Sequence, residues 1–187
     1  LKASPDGKPD LDWDRLGEVT SLGLRFLDNV ISVNRFLLPE IRSVTLSNRK
    51  VGLGVMGWAE LLIEMGIPYA SEQAVELGRK VMGFIQERSF EASEALGAQR
   101  EAFPNWRKSR FYPHRQLRNA SCNSIAPTGS ISVIAGTSYS IEPLYALAFR
   151  RVGILDGQEQ LEINPVVQEV LSAEGLWSEN VRAEILE

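Results

Sequence analysis

Cysteine and histidine are nearly missing from this chain: there is one of each, Cys122 and His114, in 187 residues. A single thiol excludes an internal disulfide and any CxxC metal or redox pair, and a single imidazole excludes a histidine-rich metal site. Long hydrophobic runs are absent as well. No stretch approaches the ~18 apolar residues of a membrane span, and the opening LKASPDGKPD has no apolar signal core. Nor is there a basic excess: 20 Lys and Arg stand against 24 Asp and Glu, a net charge of −4, which argues against a nucleic-acid coat or a polybasic membrane surface. The expectation is a soluble cytoplasmic protein with no metal site and neither nucleic-acid nor membrane partners. Its length and 44% apolar content suit one globular domain with a real core. Leu1 is no initiator methionine and the closing ILE carries no helix stop, so a piece of something larger is expected.

Helical periodicity dominates what is present. After the turn-rich SPDGKPD, Asp12 or Asp10 caps a helix expected to run to about Asn34. There Leu16, Val19, Gly23, Phe26, Val30 and Val33 step by three and four, and Leu24, Leu27 and Ile31 widen the apolar face. Pro39 opens a short helix to about Thr45. Ser71 caps the longest helix, expected to end at Leu96 before Gly97, with Val75, Gly78, Met82, Ile85, Ser89, Ala92 and Leu96 on its packing face. Residues 101–120, with two prolines and no period, read as an ordered loop with one short helix at most.

Gly52, Gly54 and Gly57 spell G-x-G-x-x-G, the spacing of a dinucleotide-binding turn. That turn needs a strand before it and an acidic strand end about 20 residues after it. Ser47, Asn48, Arg49 and Lys50 interrupt any upstream strand, and Glu76 falls within a helical pattern. The glycines are read instead as letting a helix start come close to neighbouring backbone.

Residues 118–151, RNASCNSIAPTGSISVIAGTSYSIEPLYALAFRR, carry more. Ala120 to Ile125 reads as a strand, Pro127 stops it, Thr128-Gly129-Ser130 turns, and a helix starts near Ile131; a second strand is expected over Leu144 to Phe149. Strand, small-residue turn and helix start aim unpaired backbone N–H groups at one spot, which suits an anion. Upstream, Arg107, Lys108, Arg110, Arg115 and Arg118 form a local positive excess able to steer such a ligand, although solvated surface is the ordinary role of such residues. Glu142, before Pro143, either accepts from a ribose hydroxyl or fixes the turn.

Three motifs in order, RFLDNVISVN, RKVGLGVMGWAELL and the 118–151 stretch, make the chain resemble the C-terminal part of the catalytic barrel of ribonucleotide reductase large chains over about residues 10–152. It is most similar to the adenosylcobalamin-dependent class II form, since the glycine segment reads differently in class I. The resemblance implies an α/β fold, predominantly helical in this stretch, as part of a ten-stranded α/β barrel. Residues 1–187 would form a single partial domain, with 155–187 matching less clearly as a peripheral segment.

The resemblance also implies a function. The family's substrate diphosphate lies on a loop matching Pro127, Thr128, Gly129, Ser130 and Ile131. Its reaction converts ribonucleotides to deoxyribonucleotides: homolysis of the cobalt–carbon bond generates a thiyl radical that abstracts the ribose 3′ hydrogen, and a cysteine pair supplies electrons. The thiyl cysteine belongs to an Asn-x-Cys-x-Glu loop, and no such pattern occurs here. No catalytic residue is therefore assigned in this chain, Cys122 is read as a buried small hydrophobe, and the isolated segment is expected to be inactive. The implied partners are a ribonucleoside diphosphate and the remainder of the reductase chain or a homo-oligomer. Adenosylcobalamin would belong to the complete enzyme and not to this segment alone. The competing readings are a non-catalytic module that holds a phosphorylated ligand on 126-APTGSIS-132, and a split remnant that docks on a partner chain.

Overall fold

The computed structural model describes residues 1–3, 9–154 and 158–186. The turn expected over residues 4–8 lies outside the described residues. A short antiparallel pair, β1 (Lys2–Ala3) and β2 (Pro9–Asp10), leads into helix α1 (Trp13–Val33). Asp12 caps α1 by accepting the Arg15 N–H at 3.1 Å. Helix α2 (Pro39–Asn48) ends on Arg49 in the left-handed region, φ 46°. Helix α3 (Trp58–Glu64) stops at Gly66, whose φ of +65° few other residues adopt. Helix α4 (Glu72–Arg100) starts where the Ser71 hydroxyl accepts the Ala74 N–H at 3.1 Å.

A 3₁₀ turn (Trp106–Lys108) interrupts the loop that follows, and helix α5 occupies Gly129–Ala135. Strands β3 (Ala148–Ile154) and β4 (Gln158–Ile163) pair antiparallel, with Ala148 opposite Ile163 and an irregularity between Arg151 and Ile154. Helices α6 (Pro165–Ala173) and α7 (Glu179–Leu186) close the chain, α6 against α3 and α7 against the β3–β4 hairpin. Helices predominate, as expected, within an α/β arrangement.

The expectations for two helices and one strand need correction here. Helix α4 does not end at Leu96 but runs through Gly97, because the glycine serves packing: a Cβ there would lie 2.2 Å from the Gln116 carbonyl oxygen. The strand expected over Leu144–Phe149 begins only at Ala148, since the residues before it bend. On α1 the Val19–Phe26–Val30–Val33 series faces outward, and the buried stripe is Thr20, Leu24, Asp28 and Ile31, on the helix that packs against α4.

That stripe carries a charge because Asp28 anchors a buried polar cluster. Its side chain is fully buried, and Oδ1 accepts from Arg49 Nε at 2.8 Å and Asn119 Nδ2 at 3.1 Å. Oδ2 accepts from Arg100 Nη1 at 3.1 Å, and Arg118 Nε lies 3.5 Å from Oδ1. Asn119 is pinned in turn: its N–H donates to Ser93 Oγ and its Nδ2 to the Arg49 carbonyl, each at 3.0 Å. Three guanidinium groups around one carboxylate leave a positive surplus. Burial, reinforced by the charge of Arg49, pulls the Arg118 guanidinium below its ordinary range. The cluster ties the ends of α2 and α4 and the loop at 118–119 to the middle of α1. The apolar core continues elsewhere, with Leu62, Ile67 and Ala74 packed under Trp58, Met65 and Leu77.

Candidate functional site

Two of the sequence motifs fold against each other. Residues 51–54 run parallel beside 121–124: Val51 N–H donates to the Ser121 carbonyl at 3.0 Å, Leu53 N–H to Cys122 at 2.8 Å, and Ser124 N–H returns to Leu53 at 3.1 Å. Only Leu53 and Asn123 form a bridge, so the strand expected over Ala120–Ile125 is an extended segment with one ladder contact. The glycines explain how close the pair comes. A Cβ on Gly54 would lie 2.4 Å from the Ser124 carbonyl oxygen, and one on Gly52 would lie 2.3 Å from Ser124 Oγ. The close-approach reading of the G-x-G-x-x-G spacing is thus met at Gly54, and Gly57 extends it.

Both segments feed a helix start. Beyond Ser124 the chain passes Pro127 and turns at Thr128, a non-glycine residue at φ 59°, before α5 begins at Gly129. The first bond inside α5 runs from Ser132 N–H to the Thr128 carbonyl at 2.9 Å. The N–H groups of Gly129, Ser130 and Ile131 precede it and have no partner within the helix. Thr128 keeps its conformation because its Oγ1 accepts the N–H of Ser140 at 2.7 Å, and Ser140 is itself left-handed at φ 47° and buried. As that bond uses only a lone pair, the Thr128 hydroxyl proton remains available to a ligand. Pro127, Gly129, Ser130 and Ile131 are exposed and Thr128 is half-buried, so all five sequence-selected residues sit together on an accessible turn.

The opening of α3 supports this turn from below. Gly57, at φ +77°, donates its N–H to the Ser138 carbonyl at 3.1 Å, and Trp58 N–H reaches the Ser140 carbonyl at 3.4 Å. In return Glu60, in the first turn of α3, accepts hydrogen bonds from the hydroxyls of Ser138 and Thr137, the latter at 3.4 Å. Its other oxygen accepts from Asn164 Nδ2 at 3.4 Å. A cavity of about 100 Å³ lies on this side, lined by Glu60, Ser132, Thr137, Tyr139, Glu142 and Asn164 among others. It adjoins α5 but does not include residues 127–131. Glu142 is exposed at the cavity edge, and its N–H closes a turn on the Tyr139 carbonyl at 2.9 Å. Neither Glu60 nor the Asp28 cluster stood out in the sequence. Asp28, a charge among the apolar positions of α1, was the one readable signal.

The basic loop divides. Arg107, Lys108 and Arg110 are exposed. Arg115 is held by Glu94, through Nε and Nη2 at 2.9 Å each, and by Glu87 through Nη2 at 3.1 Å. The hydrogen bonds from Arg115 hold the Glu94 carboxyl below the usual carboxylate range. Arg118 joins the Asp28 cluster and also donates to the Arg100 carbonyl at 2.7 Å. Two of the five cations expected to steer a ligand are therefore engaged in holding the fold. Cys122 is 2% exposed, and burial pushes its thiol up to about 11, far from the thiolate that nucleophilic chemistry needs. Among the described residues no group of His, Cys, Asp and Glu could hold a metal ion, and no helix is long and apolar enough to cross a membrane.

Known proteins resemble this chain in sequence and in fold. A vitamin B12-dependent ribonucleoside-diphosphate reductase from Thermoplasma acidophilum is 48% identical over 183 residues, covering 97% of this chain and 24% of that protein. One from Mycobacterium tuberculosis is 46% identical over 180 residues, covering 96% and 25%. The chain thus spans about a quarter of the length of these relatives. Among solved structures, the class Id ribonucleotide reductase alpha subunit of Actinobacillus ureae superposes with a TM-score of 0.74 at 26% identity, covering 90% of this chain and 30% of the subunit. The family described as the ribonucleotide reductase barrel domain matches residues 2–117 and 114–187, essentially the whole sequence. With paired segments 51–54 and 121–124 each leading into a helix, and with relatives of this kind along its full length, the chain belongs to the ribonucleotide reductase barrel-domain family.

Proposed function

We propose that this chain is part of a vitamin B12-dependent ribonucleoside-diphosphate reductase, which converts ribonucleotides to deoxyribonucleotides by radical chemistry, and that Pro127–Ile131 seat the substrate diphosphate. The observation that carries the reading is the start of α5. Three successive N–H groups, of Gly129, Ser130 and Ile131, have no partner in the helix, and the left-handed Thr128 before them is locked by Ser140. Such a turn presents partial positive charge to an anion with little reorganisation. Pro127 fixes the approach and brings no N–H of its own, and the hydroxyls of Thr128 and Ser130 add donors beside the amides.

The chain's own share of the reaction is binding and orientation. Adenosylcobalamin, the thiyl cysteine and the reducing pair are assigned to the remainder of the reductase, with which this chain would act in the cytoplasm as one polypeptide or within an oligomer.

The test is calorimetric titration of the chain with inorganic pyrophosphate and with a ribonucleoside diphosphate, wild type against Gly129→Trp. No atom lies within 4 Å of a Cβ built at Gly129, so the turn accepts a side chain and lost binding reports occlusion of the seat. Binding should fall by at least about tenfold, the scale of a few lost charge-assisted hydrogen bonds. Thr128→Ala should cost less, because backbone donors dominate. Equal affinity in wild type and Gly129→Trp removes the loop from the proposal.

A further inference from the structure

Resting on the diphosphate reading above, we infer that Glu60 is a positioning residue for that seat, acting through residues 137–140 and not on the ligand itself. The path is continuous. The Glu60 carboxylate accepts from the Ser138 and Thr137 hydroxyls, while the amides of Gly57, which caps α3, and of Trp58 donate to the carbonyls of Ser138 and Ser140. Residues 137–140 are therefore gripped through side chains and backbone at once. From this clamped segment two bonds reach α5. Ser140 N–H donates to Thr128 Oγ1 at 2.7 Å at the helix start, and Thr137 N–H donates to the Ser132 carbonyl at 3.0 Å at its end.

A helix spanning only Gly129–Ala135 has little intrinsic stability, so its orientation is set by what holds its two ends. Both holds lead back to the first turn of α3, where a carboxylate also complements the helix dipole. Gly57 belongs to the same device: a Cβ there would lie 2.4 Å from Thr137 Oγ1, so a side chain would displace the hydroxyl that donates to Glu60. Both Glu60 oxygens are engaged, one by Ser138 and Thr137 and the other by Asn164, and a carboxylate has no proton to donate to an anionic diphosphate, which is why it is assigned to position and not to contact the ligand. The glycine motif and the proline-led turn, far apart in sequence, thus form one apparatus.

The experiment uses the complete reductase polypeptide that carries this chain, assayed for KM and kcat with a ribonucleoside diphosphate, alongside pyrophosphate inhibition and Tm. Glu60→Ala should raise KM and the pyrophosphate inhibition constant by about tenfold with kcat within about twofold, the pattern of lost uniform binding. Glu60→Gln, which keeps one acceptor oxygen, should recover part of the loss. Ser138→Ala should raise KM by about threefold alone and add little in the Glu60→Ala background, since both lesions break one link. Unchanged KM in Glu60→Ala, in a protein where Gly129→Trp abolishes pyrophosphate inhibition, overturns the assignment of Glu60 and leaves the seat standing. Unchanged KM in both variants removes the seat and the role of Glu60 with it. Should Glu60→Ala fail to fold, Ser138→Ala decides: an unaltered KM there overturns the inference.

Discussion

Two glycines of one helix make opposite predictions for the same substitution. In a helix interior alanine is favoured over glycine by about 0.8–1.0 kcal/mol, through backbone entropy and shielding of the peptide groups. Gly83 is exposed on α4, with no atom within 4 Å of an added Cβ, so Gly83→Ala should stabilise the chain by about 0.5–1 kcal/mol. At Gly97 the same carbon would lie 2.2 Å from the Gln116 carbonyl oxygen and 3.3 Å from Arg118 N. Both are main-chain atoms, so no rotamer change relieves the clash. Their segment is also fastened: Arg118 N–H donates to the Ser93 carbonyl at 3.0 Å, and Phe103 N–H to the Leu117 carbonyl at 3.1 Å. Overpacking of this kind costs about 1–3 kcal/mol. A 2.2 Å approach to fastened backbone belongs at the upper end of that range, so after the propensity gain Gly97→Ala should destabilise by about 2 kcal/mol net.

Urea unfolding followed by tryptophan fluorescence measures both variants, with the midpoint compared at constant m. In a chain of this size each kcal/mol moves Tm by about 2–4 °C, so the two variants should fall on opposite sides of wild type. A Gly97→Ala protein as stable as Gly83→Ala would refute the claim that the glycine permits the helix and loop to touch.

Asp28→Asn should destabilise by about 3–5 kcal/mol, because it leaves Arg49, Arg100 and Arg118 without their shared counter-charge, whereas Arg79→Ala at the exposed Glu76 pair should stay within about 0.5 kcal/mol; urea midpoints decide. Gly57→Ala combines φ +77° with the Thr137 contact and should cost about 1–3 kcal/mol by the same assay. The raised thiol of Cys122 gives a pH signature. Folding favours the protonated form, so the associated stability is fully present below the ordinary thiol value near 9 and is lost as pH rises towards about 11. Stability measured across that window should fall less steeply in Cys122→Ala, and equal slopes would remove the thiol as the cause.

Local chemistry was legible and distant partners were not. Asp12 and Ser71 announce their helices because a cap is decided within three residues, and each accepts the N–H it should. The turn at Thr128–Ser130 could be read for the same reason. Helix α4 was cut short at Gly97 because glycine as a stop and glycine as a close contact look alike until Gln116 is in view. The outward Val19–Phe26–Val30 face satisfies helical spacing as well as the buried stripe does, and only a partner for Asp28 distinguishes them. Glu60 was invisible since its hydroxyl donors lie 77 and 78 positions away. Arg115 and Arg118 looked like ligand-steering cations because their carboxylate partners are on other elements.

The Asp28 knot has a kinetic corollary. Its ties join residues 21, 72 and 91 positions apart, so the carboxylate finds its full set of donors only after the whole arrangement has docked. A group that meets its ring of cations so late contributes little to the barrier on the way in and much to the barrier on the way out. Lesions there should hasten escape from the native state while leaving the rate of arrival nearly untouched, making this acid the latch that sets how long the assembled chain survives.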